Sequence, residues 1–293
     1  MNGIHFGTCS WKYDSWQGII YSPSAKRNYL AEYSKTYESV EIDQWFWSLF
    51  GVDKIVLPLP EVVREYAESV PPDFRFTIKI PNSITLTHFY RKQKDQPLEI
   101  NPYFLSYDIF ERFIELLKPL HAKIGVMMFQ FEYLNKLKME SQSQFQDRFG
   151  SFINRYNDTF NYGIEIRNPN YLNRRYFEFL KSSNLGHVFL QGYYMPDIFG
   201  VYARFRDYLV RPTVIRLHGP DRSDIEEKSK EIWNRILEPK EDDLNQLTRI
   251  IEEMRSRNLE VYINVNNHYE GSAPLTIGRI QERLGIDRNT NTR

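Results

Sequence analysis

A single cysteine, Cys9, is all that the 293 residues offer. No internal disulfide can form, and a reducing compartment is the expectation. Charge of one sign is also lacking: 38 basic residues are balanced by 38 acidic ones. No global field therefore draws the chain toward nucleic acid or anionic lipid. No apolar run approaches the roughly 18 residues of a membrane span. The opening MNGIHFGTCSWKYD lacks the basic region and apolar core of a secretory signal, so a cytoplasmic location is expected. A G-x-G-x-x-G fingerprint is missing after the first extended run, which continues as GTCSWKYDSW. That counts against a dinucleotide-binding doubly wound sheet. No Pro/Gly/Ser linker, internal repeat or low-complexity tract divides the chain.

Aromatic residues, by contrast, are plentiful at 15%. Eight short β-branched or aromatic runs punctuate the chain: 3–10, 39–44, 74–81, 124–131, 162–168, 187–193, 213–219 and 261–267. Amphipathic stretches separate them. SYDIFERFIELLKPL puts Ile109, Phe113, Leu116 and Leu117 on one stripe, with Ser106 as N-cap. DDLNQLTRIIEEMRSRN does the same with Leu244, Leu247, Ile250, Ile251 and Met254. APLTIGRIQERLG follows Ser272 as N-cap and ends on Gly285 as C-cap. Eight strands alternating with helices predict a single parallel eight-stranded (β/α)8 TIM-like barrel over 1–286, near the usual size of about 250 residues. Residues 287–293 read as a frayed tail. Segments 82–106 and 192–212 read as loops, carrying His88, Tyr90, Arg91 and Lys92, and Tyr193, Tyr194, Arg204 and Arg206.

Side chains two apart on a strand share a face. Taken that way, the runs end in the pairs Thr8/Ser10, Glu41/Asp43, Thr77/Lys79, Met128/Gln130, Glu165/Arg167, Phe189/Gln191, Arg216/His218 and Asn264/Asn266. Ile42, Ile78, Phe129, Ile166, Leu217 and Val265 occupy the opposite face, suited to packing under helices. Parallel strands covered on both faces should be apolar throughout. Polar tips at the carboxyl ends are instead what the mouth of a catalytic barrel requires. A self-neutralising ion-pair network is the competing account. It fits one pair better than a ring of them, because each buried polar group must find a partner.

The mixture of charges suits an uncharged polar or phosphate-bearing small molecule. Glu165 or Asp43 would serve as general acid or base, Lys79 as partner acid or charge stabiliser, and His218 as proton shuttle. Arg167 and Arg216 would hold an anionic group. Glu41, Gln130, Asn264, Asn266, Asn267 and His268 would complete the ligand contacts. No cofactor and no zinc site are expected from the scattered histidines, and a divalent cation on Glu41, Asp43 or Glu165 stays open. Trp11, Trp16 and Trp45, in the first two βα loops, would stack on a ligand ring at the mouth. Cys9, between two inward positions, should face a helix. Gly219, Gly271 and the helix start at Ser272 would suit a phosphate.

Taken together, GTCSWKYDSWQGIIY, VEIDQWFW, FRFTIKIP, FQFEY, EIRNPNY, RLHG and NVNNHYEGSAP resemble, in kind and order, the motifs of the YecE-like proteins, or domain-of-unknown-function-72 family. The resemblance spans nearly the whole chain and implies a TIM-like barrel. No activity is established for that family, so no catalytic role carries over. Its likeness to endonuclease IV implies an alternative: a nucleic-acid-binding or repair-nuclease-like protein.

Overall fold

The structure is a computed structural model that describes residues 3–23, 27–91, 93 and 95–286. Lys92 and the tail 287–293 lie outside the described residues. Ten strands occur among them: β1 (Ile4–Thr8), β2 (Ser39–Ile42), β3 (Leu49–Gly51), β4 (Lys54–Ile55), β5 (Arg75–Lys79), β6 (Ile124–Phe131), β7 (Tyr162–Ile166), β8 (Gly186–Gly192), β9 (Thr213–Gly219) and β10 (Val261–Val265). The helices are α1 (Tyr29–Tyr33), α2 (Pro60–Glu68), α3 (Asn82–Thr85), α4 (Tyr107–Leu116), α5 (Gln142–Ile153), α6 (Arg174–Ser182), α7 (Ile198–Phe205), α8 (Arg222–Ser229), α9 (Glu241–Ser256) and α10 (Ala273–Arg283).

Eight of the strands form one parallel sheet in the order β1-β10-β9-β8-β7-β6-β5-β2. Its two ends meet where Gly7 lies against Ser39: a Cβ on Gly7 would collide with the Ser39 carbonyl. The sheet is thus a nearly closed eight-stranded barrel alternating with helices, as the period of the sequence predicts. β3 and β4 make a separate antiparallel hairpin in the loop after β2. Too short to bury a face, that hairpin leaves no periodic signature in the sequence.

The six outward positions expected to pack under helices are all buried in the main core. The α9 stripe, Leu244, Leu247, Ile250, Ile251 and Met254, joins them. Each such side chain contributes about 1.5–3 kcal/mol when withdrawn from water. Ser106 caps α4 by accepting from the Ile109 N–H at 3.4 Å. Gly285, at φ +65°, follows α10 in the left-handed conformation that glycine takes at least cost. A second, smaller apolar cluster fills the lower barrel interior: Val126, Met128, Val188, Val214 and Tyr262. The barrel is closed below, so its polar side chains gather above.

The segment 192–212 is not a loop throughout. It contains α7, capped by Asp197, whose carboxylate accepts from the Gly200 N–H at 2.7 Å. Likewise α3 opens the segment 82–106.

Candidate active site

Above the apolar floor lies an ionic frame. The guanidinium of Arg216 on β9 is fully buried and forms a bidentate pair with Glu41 on β2, Nε at 2.8 Å and Nη2 at 2.7 Å. Its Nη1 reaches Glu165 on β7 at 2.5 Å. Arg167, one quarter exposed, donates from Nε to the other Glu165 oxygen at 2.9 Å. Asn264 on β10 donates to Glu41 at 3.0 Å and to Thr77 Oγ1 at 2.8 Å. Five strands spread around the sheet, β2, β5, β7, β9 and β10, thereby converge on one hollow. Burial alone would raise the Glu165 carboxyl, but Arg216, Arg167 and Lys79 outweigh it and hold it at about 2. Glu165 is permanently ionised and fully engaged.

Asp43 and Lys79 sit beside this frame under opposite pressures. Asp43 follows β2, where its carbonyl starts a 3-10 turn by accepting from the Phe46 N–H. Burial and the neighbouring Glu41 push its carboxyl up to about 6, against the pull of Lys79 and Arg216. Burial and the Arg216 charge lower the Lys79 amine, partly offset by Glu41, Glu165 and Asp43. Its Nζ lies 4.2 Å from the centre of the Phe46 ring. It has no hydrogen-bond or ion-pair partner among the described residues. The Gln130 and Asn264 amide oxygens are likewise buried without a partner.

His218 is neutral, since burial and then the charges of Arg216, Lys79 and Arg167 force its pKa well below the usual value. Its Nδ1 stands 3.3 Å from the Tyr193 hydroxyl and its Nε2 3.6 Å from Cys9 Sγ. A neutral imidazole must donate from one nitrogen and accept at the other, so these three groups share linked proton positions. The thiol pKa is raised by burial and by Glu41, which keeps Cys9 un-ionised.

Glu41, Asp43, Lys79, Gln130, Glu165, Arg167, Arg216, His218 and Asn264 thus stand together. Other expected residues do not join them. Asn266 is half-buried and accepts from the His268 N–H at 2.9 Å. Asn267 is buried and caps α10 by accepting from the Ala273 N–H at 2.9 Å, while Ser272 makes no side-chain cap. His268 turns to Glu226 at 3.2 Å and abuts the Trp233 ring. Trp16 is fully buried beside Tyr13 and Tyr21. Trp11 and Trp45 are buried against the Tyr66 ring on α2, Trp11 at right angles to it and Trp45 stacked on it. Large indoles gain more from that packing than from lining water.

Two strands run in the opposite phase to the expected one. On β1, Thr8 faces outward, its N–H and hydroxyl both meeting Tyr33 of α1 at 2.9 Å. Cys9, not Thr8 or Ser10, points into the barrel. On β8, Phe189 packs outward near Tyr202, and Gln191 bonds Asp243 of α9 and the Ile198 N–H, both at 3.0 Å. Val188 and Leu190 take the inward face, Leu190 level with Arg216. A polar residue that finds a helix partner imitates a mouth residue in sequence. Strand alternation does not reach the loop aromatics: Tyr90, Tyr193 and Tyr194, which the sequence places in its two long loops, and the exposed rings of Trp47 and Tyr133.

Among the described residues, no group of three or more His, Cys, Asp or Glu is placed to hold a metal ion. No helix among them is long and apolar enough to cross a membrane.

Comparison with known proteins places this barrel among relatives. The chain is 24% identical over 168 residues to the UPF0759 protein YecE of Escherichia coli, covering 57% of this chain and 50% of that protein. It thus spans about half the length of that relative in the match. A DUF72 family protein of Thermotoga maritima has a similar structure, with TM-score 0.66, 19% identity, and coverage of 97% of this chain and 99% of that one. One from Enterococcus faecalis gives TM-score 0.65, 20% identity, and coverage of 97% and 96%. At that identity the two structures speak for the fold alone. The model of the family described as "Protein of unknown function DUF72" matches residues 5–293, and the chain therefore belongs to the DUF72 family.

Proposed function

We propose that this protein is an enzyme that uses acid–base chemistry on a small polar substrate bearing an anionic group, at the C-terminal mouth of the barrel. One observation carries the reading. Two carboxylates within one hollow are driven apart, Asp43 to about 6 and Glu165 to about 2. Such divergence separates a proton-transferring group from a fixed charge. Asp43 is the general base or acid, being close to neutrality and free of side-chain partners. Glu165, Arg216 and Glu41 form the frame that holds the local field constant.

Lys79 supplies a positive charge that no protein carboxylate neutralises through direct contact. Such a cation stabilises negative charge that develops on a reacting oxygen. Arg167 spends only Nε on Glu165, leaving its two terminal nitrogens for a phosphate or carboxylate of the substrate. His218, held neutral between Tyr193 and Cys9, can relay a proton but not supply a charge. The buried amide oxygens of Gln130 and Asn264 are suited to accept from substrate hydroxyls.

The test has two arms. A carbon-detected NMR titration of the aspartate carboxyls should find Asp43 protonating near pH 6, and a value at its ordinary 3.8 would refute the assignment. A turnover screen over phosphorylated and carboxylated sugars should then show Asp43→Asn and Lys79→Met each lowering kcat about 10²–10⁴-fold, with the wild-type rate changing around pH 6. Unchanged turnover in both variants would remove these two residues from the chemistry.

A further inference from the structure

Four large rings are left in water around this mouth. Trp47, Tyr90, Tyr133 and Tyr194 are 59%, 53%, 50% and 60% exposed. They come from four separate loops, each on the carboxyl side of a barrel strand: after β2, β5, β6 and β8. Trp47 and Tyr90 touch, with centroids 6.0 Å apart. The Tyr194 hydroxyl donates to the Arg167 carbonyl at 3.4 Å. Both Tyr90 and Tyr194 lie within the fields of Glu132 and Arg167, and Tyr194 within that of Tyr133. The rings therefore gather on the Arg167 side of the hollow. Exposed aromatic surface collected in one place is uncommon on a monomeric surface unless something covers it.

We infer that these rings bind neutral sugar units of an oligosaccharide that extends out of the mouth, and that its terminal unit, the one bearing the anionic group, enters the acid–base centre. The apolar C–H face of a pyranose lies flat against the π face of tyrosine or tryptophan, and the hydroxyls of Tyr90 and Tyr133 are available to sugar hydroxyls. A nucleic acid would stack equally well but brings a phosphate with every unit. The rim answers that charge poorly. Lys138 is paired with Glu132, and Arg222 with Glu226 at 2.7 Å. The chain as a whole has no net charge. A chain of neutral units suits this rim better. The inference takes the location of the site from the proposed function, but not the identity of the group that moves the proton.

The experiment titrates purified protein with neutral hexasaccharides, namely β-1,4-linked glucose, mannose and N-acetylglucosamine and α-1,4-linked glucose. An oligothymidylate and the matching monosaccharides are titrated alongside. Tryptophan fluorescence and calorimetry report binding. At least one hexasaccharide should bind saturably and independently of salt, and more tightly than its monosaccharide. Trp47→Ala and Tyr90→Ala should each weaken it about tenfold or more, with the melting temperature unchanged, as loss of a stacking ring does. No hexasaccharide binding up to millimolar concentration overturns the inference, as does binding indifferent to both ring variants. Binding confined to the oligothymidylate and falling steeply with salt overturns it in favour of nucleic acid. Loss of turnover in Asp43→Asn combined with unaltered sugar affinity in Trp47→Ala would sink the rim while sparing the centre.

Discussion

Tyr193 adopts φ +54°, a left-handed backbone that costs a non-glycine residue about 1–2 kcal/mol. Its N–H donates to the Gly219 carbonyl, its hydroxyl meets His218, and the Arg167 guanidinium lies 5.3 Å from its ring centre. Strain of this kind persists where the surroundings over-determine it, often beside a ligand. Relief of that strain should offset lost contacts in Tyr193→Gly. Chemical denaturation should then show a cost below about 1 kcal/mol, whereas a merely packed tyrosine would cost about 3 kcal/mol or more. The larger figure would make Tyr193 a packing residue. The same scale governs Asp43. Its carboxyl is harder to ionise in the folded chain than in the unfolded one, so it lowers stability as pH rises from its ordinary 3.8 to about 6. A group that weakens the fold near neutrality has its rationale in chemistry.

At the scale of single elements, β8 carries a second buried titratable group with no catalytic role. His187 faces outward between Phe177 and Phe189, with Nδ1 3.3 Å from the Tyr176 hydroxyl. Burial drives its pKa down to about 3, against a small opposing pull from Glu165. The unfolded chain takes up a proton near 6.5 and the folded one does not. Stability from this residue is therefore complete above pH 6.5 and lost as pH falls toward 3. His187→Phe keeps the ring packing, and Tyr176 retains the Ile164 carbonyl at 3.4 Å. Thermal melts across that window should show the variant's stability falling less, by roughly 1–3 kcal/mol. Parallel curves would mean that the folded chain admits the proton. Elements were also where strand alternation misled. Thr8 and Gln191 are polar at the right positions but bond to α1 and α9 instead of lining the hollow.

For the whole molecule, closure depends on how near β1 can come to β2. Gly7 is the point of nearest approach, since its missing Cβ leaves room for the Ser39 carbonyl. Gly7→Ala must move two strands of a packed barrel and should cost at least about 2 kcal/mol by denaturant unfolding. It should also disturb the frame above, because Glu41 and Asp43 ride on β2. A neutral effect would show that the seam is loose. The loop between β10 and α10 is fastened independently: the buried Glu270 carboxylate accepts from the Lys240 N–H, Thr276 and Arg279. The mouth is thus held from both sides of the seam.

Periodicity by itself determined the eight barrel strands, the helices α4, α9 and α10, the outward apolar set and the inward polar tips of β2, β5, β6, β7, β9 and β10, but not the β3–β4 hairpin or the helices α3 and α7. These are consequences of local geometry: alternation at two residues and burial at three to four need no knowledge of neighbours. Tertiary structure decided which of those tips are spent on one another and which are free. Glu165 and Asp43 are interchangeable carboxylates in the sequence. Only the arrival of Arg216 from β9 and Arg167 beside it makes one a fixed anion, while burial near Glu41 makes the other a proton carrier. The same holds for the rings. Trp16 and Trp47 are both loop tryptophans, and the packing of neighbouring loops alone buries the first and leaves the second in water.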